Sequence, residues 1–289
     1  MADDGAVATL VSMGFDAPSA QSALKSCGGN MERAVEVLLG GGGGGDGGGA
    51  PSSSSSASVI RCDSVSQYSV PDGRSACTCI ALSAADAFLS AVEGSEGGDS
   101  ARSVLTPSFL SEVVNAGVRI YGTLRLRSAG GGSAEHMSAE EVLSSETGRT
   151  AYSSLGLLGG VRQGVLSSAA GSDDSPLGLR AQLVGVLGEA SPSEWTAALI
   201  TKTPETVVCI LPPGGGEGGS GGIYALIDSH PRPHLGTGEG SYVAIYDNLD
   251  GLLGMLRNLF PATDLGPDVG DMMAMMYNSF DLYAMRRAK

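Results

Sequence analysis

Val207-Val208-Cys209-Ile210-Leu211, closed by Pro212-Pro213, is a five-residue apolar run that a double proline cannot continue, and it reads as a buried strand. Two more strands fit downstream, over Ile223 to Ser229 and over Tyr242 to Tyr246, followed by a helix from Leu249 to Phe260 with Leu252, Leu253, Leu256, Leu259 and Phe260 on its apolar side. Upstream the signals are helical. Residues 76 to 92 carry the small apolar pattern of a buried helix, in Ala76, Ile80, Ala81, Ala84, Ala85, Phe88 and Leu89. A longer helix covers 107 to 125, and Ser138 with Glu141 has capping-box spacing before Val142 and Leu143. Helices first and strands later predict an α+β fold for 58–289 rather than a doubly wound sheet. Trp195 falls in a stretch read as helical, where a single tryptophan is expected to anchor the core. Met272, Met273, Met275 and Met276 precede a last helix or strand packed on that core, with an adaptable binding surface as the other reading.

The N-terminal part is organised differently. Val7, Leu10 and Val11 repeat at helical spacing up to Met13-Gly14-Phe15, where glycine permits a tight reversal. Asp16 and Pro18 open a second helix through Ala20, Ala23 and Leu24, which Gly28-Gly29 stops. Asn30 caps a third, with Met31, Ala34, Val35, Leu38 and Leu39 as its stripe. Residues 1–40 are thus expected to form a three-helix bundle. Residues 41–57, nearly all glycine and serine, cannot bury apolar surface and read as a flexible tether that would hold the bundle at high effective concentration near the second domain.

Composition excludes several classes. The formal net charge is −14, from 17 Lys and Arg against 31 Asp and Glu, which argues against nucleic-acid binding. Five scattered cysteines, Cys27, Cys62, Cys77, Cys79 and Cys209, are unlike a disulfide framework, and Cys77-Thr78-Cys79 is too tight for the usual zinc spacing. No metal and no cofactor are expected. The acidic Met-Ala-Asp-Asp start and the lack of any apolar run near the ~20 residues that span a bilayer predict a soluble, cytoplasmic protein with no membrane contact, to which the nucleus is also open.

Cys77 lies where the loop Pro71-Asp72-Gly73-Arg74-Ser75 gives way to the apolar helix, and a helix N-terminus favours thiolate over thiol. Cys79 is the competitor, and for either cysteine alone a buried inert thiol is the commoner reading. Asp228 and His230 close a strand, and the period of two puts both on one face. Of the other histidines, His136 falls in a glycine-rich insertion and His234 in a turn after two prolines, so His230 is the best placed to serve a thiol. A structural role for a strand-terminal histidine reads equally well.

Two resemblances sharpen these readings. With its Met-Gly-Phe loop, glycine pair and Asn-Met-Glu-Arg-Ala-Val-Glu-Val-Leu-Leu helix, the first segment resembles a ubiquitin-associated domain, which implies that Met13, Gly14, Phe15, Leu38 and Leu39 dock on ubiquitin or polyubiquitin. Gln67-Tyr68-Ser69-Val70, Ser75-Ala76-Cys77-Thr78 and Ile227-Asp228-Ser229-His230-Pro231, followed by a strand and a Leu-rich helix, resemble the papain-like deubiquitinases of the herpesvirus tegument type and their cellular relatives. That resemblance implies helices packed on a mainly antiparallel sheet. It also implies Cys77 as nucleophile, His230 as base, Asp228 as the group that orients it, and Gln67 as an oxyanion donor. Asp247 or Asn248, after the next strand, is the alternative third residue. An inactive ubiquitin-binding adaptor, or a protease for another ubiquitin-like modifier, are the rival functions.

Overall fold

The computed structural model describes residues 58–94, 97–128, 136–167, 175–214, 222–266 and 269–288, together with Val7, Gln21, Leu24 and Lys25. The chain divides into two compact units, Met1–Ser54 and Ser55–Lys289. In the first, the four described residues are helical and Leu24 is buried. Met13, Gly14, Phe15, Leu38 and Leu39, and the expected tether, lie outside the described residues.

The second unit is built on one antiparallel sheet of eight strands: β1 (Ser58–Cys62), β2 (Leu155–Leu157), β3 (Arg162–Val165), β4 (Thr196–Lys202), β5 (Glu205–Leu211), β6 (Tyr224–Asp228), β7 (Ser241–Tyr246) and β8 (Ser279–Arg287). The strands run in the order β1-β7-β6-β5-β4-β8-β2, with β3 also on β8. Eight helices accompany it among the described residues: α1 (Cys77–Ala91), α2 (Gly98–Val104), α3 (Pro107–Ser128), α4 (Ala139–Ser144), α5 (Glu146–Ala151), α6 (Leu179–Glu189), α7 (Leu249–Leu259) and α8 (Asp271–Tyr277).

Both faces of the sheet are covered, which is why its central strands read as unbroken apolar runs instead of alternating ones. Val208, Ile210, Ala225, Ile227, Val243 and Ile245 face a core shared with α1 and α3. Their neighbours Val207, Cys209, Leu211, Leu226 and Ala244 face a second core shared with α6 and α7. Cys77 to Ala85 of α1 are buried without a break, so this helix runs through the first core.

The expected helices and strands at 76–92, 107–125, 207–211, 223–229, 242–246 and 249–260 are present with their ends shifted by a few residues. Ser138 and Glu141 form the capping box. The order of elements is more mixed than helices then strands, because β1 precedes every helix of this unit and β2 and β3 lie between α5 and α6. The stretch around Trp195 is a correction. Trp195 immediately precedes β4, and its ring packs edge-on against Phe88 in the core at 5.6 Å. Thr196-Ala-Ala-Leu-Ile lacks β-branched residues at the two alanines, and pairing with both β5 and β8 overrides that weak local preference.

The helix pair α1 and α3 is held closer than side chains would normally allow. A Cβ on Gly117 would lie 2.4 Å from the Ile80 Cα, so α3 meets the first turn of α1 backbone to backbone. Gly117→Ala is expected to lower unfolding stability by about 1–3 kcal/mol through overpacking. Gly122→Ala, on the same helix with open space around its Cβ, should be neutral or raise stability by up to about 1 kcal/mol through helix propensity. Parallel denaturant melts of the two variants check the contrast.

Candidate active site

The site assembles where the loop after β1, the start of α1, the β4–β5 turn and the segment after β6 converge. The loop is tightly wound. Ser69 N–H and Gly73 N–H donate to the carbonyls of Ser66 and Val70, and a 3₁₀ turn at Gly73–Ser75 delivers the chain into α1. Gly73 is required here, since a Cβ would lie 2.1 Å from the Gln67 carbonyl oxygen.

Gln67 is buried, and its amide is fixed on both sides. Its Oε1 accepts from the Ser229 hydroxyl at 3.0 Å, and its Nε2 donates to the Arg74 carbonyl at 3.2 Å. The Gln67 N–H donates to the Ser229 carbonyl at 3.1 Å. Gln67 is thereby placed between the approach to α1 and the Asp228-Ser229-His230 segment.

Cys77 is the first residue of α1, whose N-cap, Ala76, makes no side-chain cap. The first N–H groups of the helix therefore have no side-chain acceptor at this end. The Cys77 thiol donates to the Pro204 carbonyl at 3.7 Å and lies near enough to His230 to help raise the imidazole pKa. His230 Nδ1 lies 2.5 Å from Asp228 Oδ1, which leaves Nε2 as the ring nitrogen for the thiol. Tyr68, 55% exposed, sets its ring edge-on to the imidazole at 6.0 Å. Cys77 and His230 are each only 2% exposed.

The Asp228 carboxylate is wholly buried and fully partnered. Oδ1 accepts from the His230 backbone N–H (2.9 Å) as well as from the ring, and Oδ2 accepts from Arg232 Nε (3.1 Å) and the Tyr242 hydroxyl (3.3 Å). Tyr242 is in place because Asp228 and Tyr242 are register partners of β6 and β7. Arg232 Nη2 reaches on to Glu205 Oε2 at 2.5 Å. Arg232, Tyr242 and Glu205 carry no functional role in the sequence reading. Only the short spacing Asp228-x-x-x-Arg232 could have suggested the first of them.

Burial alone would lower the His230 pKa, but the Asp228 charge and hydrogen bond, the nearby Cys77 thiol and the Glu205 charge outweigh it and raise it. Burial would raise the Asp228 pKa, yet His230 and Arg232 hold it below the usual carboxylate range. Cys79 is different. Burial first, then the neighbouring Cys77 charge, push its thiol up to about 12, against an opposing hydrogen bond from Tyr152, and its side chain belongs to the core shared with α1 and α3.

The alternatives for the third residue lie elsewhere. Asp247 is paired with Arg102 at 2.6 Å on the surface, and Asn248 caps α7 by accepting from the Gly251 N–H. His136 and His234 are exposed. The last element is present as the strand β8, which joins the sheet as expected, and Met272, Met273, Met275 and Met276 before it are exposed on α8. No helix among the described residues is long and apolar enough to cross a membrane.

With this geometry in place, comparison with known proteins becomes specific. Residues 3–38 match the UBA/TS-N domain. The N-terminal segment is a UBA domain. Among curated proteins none matches the chain. Among solved structures, the chain is similar to the ubiquitin-specific protease encoded by the murine cytomegalovirus tegument protein M48, solved in complex with a ubiquitin-based suicide substrate. The TM-score is 0.52 at 14% identity, over 80% of this chain and 88% of that one. The likeness establishes the fold: an antiparallel sheet with packed helices, arranged as in a papain-like viral protease.

The pKa directions fix a pH dependence. The raised His230 value contributes stability that is complete below the ordinary 6.5 and is lost as pH rises through the folded value. The lowered Asp228 value contributes stability that is complete above the ordinary 3.8 and is lost as pH falls through the folded value. Both contributions are therefore complete between those two ordinary values. Urea melts should show His230→Gln to be most destabilising at about pH 5.5, with the deficit shrinking toward about pH 10. A deficit that is the same at both ends would contradict the charged pair.

Proposed function

We propose that this protein is a deubiquitinase, a cysteine-type hydrolase that cuts isopeptide or peptide bonds after the C-terminal glycine of ubiquitin, and that its UBA domain binds ubiquitin. The observation that carries the reading is the juxtaposition of Cys77, His230 and Asp228, with His230 Nδ1 2.5 Å from Asp228 Oδ1 and Gln67 alongside. These residue types in this order match what thiol acyl transfer needs: a nucleophile, a base and a group that fixes the base's tautomer.

In the proposed reaction the Cys77 sulfur, its proton already carried on His230 Nε2 as imidazolium, attacks the carbonyl carbon of the terminal glycine. The tetrahedral oxyanion is stabilised by the Cys77 N–H and by the Gln67 Nε2 proton that Arg74 does not use. The imidazolium then gives its proton to the leaving lysine amine, and a thioester remains. Water, losing a proton to His230, hydrolyses the thioester and returns the thiol. Asp228 stays ionised throughout and holds Nδ1–H. No cofactor enters any step.

In the UBA domain, Met13, Gly14, Phe15 and Leu38 fall within the matched residues and Leu39 just beyond them. We assign ubiquitin contact to these five, and the cytoplasm and nucleus as the compartments where ubiquitin conjugates would be met.

One observation favours a second reading, a ubiquitin binder that does not cut. The thiol and the imidazole are almost wholly covered, and the Pro204 carbonyl sits on the thiol. The two readings separate with ubiquitin carrying a thiol-reactive C-terminal warhead, followed by intact mass. Wild type and Cys79→Ala should form the adduct, Cys77→Ala should not, and Gln67→Ala should slow its formation by about a hundredfold. Folded wild type that binds ubiquitin but forms no adduct would establish the binder. An adduct formed instead with the warhead on another ubiquitin-like modifier would reassign the substrate.

A further inference from the structure

We propose that Arg232 is a positioning residue for the Cys77–His230–Asp228 set, acting through two carboxylates that belong to different parts of the fold. The inference rests on the deubiquitinase reading and adds to it how the site is held in register. Arg232 Nε donates to Asp228 Oδ2 at 3.1 Å, while Nη2 donates to Glu205 Oε2 at 2.5 Å. The first contact occupies the oxygen of Asp228 that His230 does not use, so the carboxylate is held with Oδ1 toward Nδ1. The second pins Glu205, the first residue of β5 and the neighbour of Pro204, whose carbonyl receives the Cys77 thiol. One guanidinium thus ties the group that orients the base to the turn that lies on the nucleophile.

The guanidinium is itself fixed. Its side chain is 13% exposed, and its backbone carbonyl accepts from the Leu235 N–H (2.9 Å) and the Thr237 hydroxyl (3.1 Å). A planar fork with several donors can serve two carboxylates at once, which a lysine ammonium on its flexible stem cannot do with the same directionality. Charge matters as well as shape. The groups that face the Cys77–His230 pair are Asp228 at the end of β6, Glu205 from β5, Tyr242 from β7, Tyr68 from the loop after β1, and Arg232 itself. Arg232 is the permanent cation among them, and Glu205 is the anion that does not touch His230 directly.

The test uses the full chain and a probe that needs no substrate: the pH profile of Cys77 alkylation by iodoacetamide, resolved at Cys77 by peptide mass. A thiol paired with imidazole gives two inflections, one as the pair loses the thiol proton and one as the imidazolium loses its own. Arg232→Gln removes a positive charge and should move both inflections up by about half a pH unit or more, whereas Glu205→Gln removes a negative charge and should move both down. Arg232→Lys should keep the inflections near their wild-type places yet lower kcat on a ubiquitin C-terminal substrate about tenfold at unchanged KM, because charge is retained and geometry is not. A residue that only braced the fold would leave the inflections of all three variants unmoved, and that result would overturn the proposal. Should Arg232→Gln fail to fold, the opposite shift in Glu205→Gln and the kcat loss in Arg232→Lys still decide it. Wild-type Cys77 that titrates as one ordinary thiol and takes no ubiquitin adduct would overturn the deubiquitinase reading as well. Normal wild-type inflections with unmoved variants would overturn the role of Arg232 alone.

Discussion

A carboxylate with no access to water dominates this molecule. An ionised Asp228 inside the protein would cost several kcal/mol without compensation, so every one of its partners is in effect obligatory. Those partners come from three directions: the His230 backbone and ring just beyond β6, the Tyr242 hydroxyl across the sheet on β7, and the Arg232 guanidinium from the following loop. Arg232 extends the set to Glu205 at the start of β5. Satisfying one buried charge therefore fixes the imidazole, the strand register beside it and the turn that meets the thiol.

The sheet makes such demands affordable by being covered on both faces, so its strand ends are held without slack. Against it α1 brings two thiols that are neighbours in sequence but not in environment. On a helix, residues two apart differ by roughly 200° in direction, so Cys77 faces the His230 side while Cys79 enters the core, where the Tyr152 hydroxyl donates to its backbone carbonyl. Thr78, between them, meets the Thr206 hydroxyl, which in turn meets Thr201. That run of hydroxyls links the start of α1 to β4 and β5, the two strands whose turn carries Pro204.

What the sequence makes legible follows from this arrangement. Elements with strong local signals are readable: the Ser138–Glu141 capping box, the apolar α1, the paired period of Asp228 and His230, and the proline stop after Leu211. The pairing of Cys77 with His230 is implied by the family resemblance alone, since the residues by themselves leave Cys79 and a structural histidine open. The missing parts depend on register and tertiary contact, which no local pattern encodes. Tyr242 reaches Asp228 only because β6 and β7 pair as they do, and Glu205 reaches Arg232 only because the β4–β5 turn folds back over α1. β1, β2 and β3 are short edge pieces with little periodicity, and β4 with its two alanines looks helical until β5 and β8 flank it.

Burial of the thiol and imidazole acts in two directions at once. Excluding water strengthens the attraction between a thiolate and an imidazolium and keeps them from competing hydration. It also narrows what can reach the sulfur, which is 2% exposed with the Pro204 carbonyl against it. An extended tail ending in glycine has the slimmest backbone available for such a passage, with no Cβ to clash at the point of attack. Under the deubiquitinase reading, the cover that makes the thiol look inaccessible is thus a selectivity device: it admits a glycine-ended tail and resists a peptide bond flanked by larger residues. Under the binder reading the same cover is simply a closed end of the fold. The chemistry of the pair, more than the degree of exposure, distinguishes these cases, since a sealed core has no need to keep a charged Asp228, its Arg232 partner and a hydrogen-bonded thiol within reach of one another.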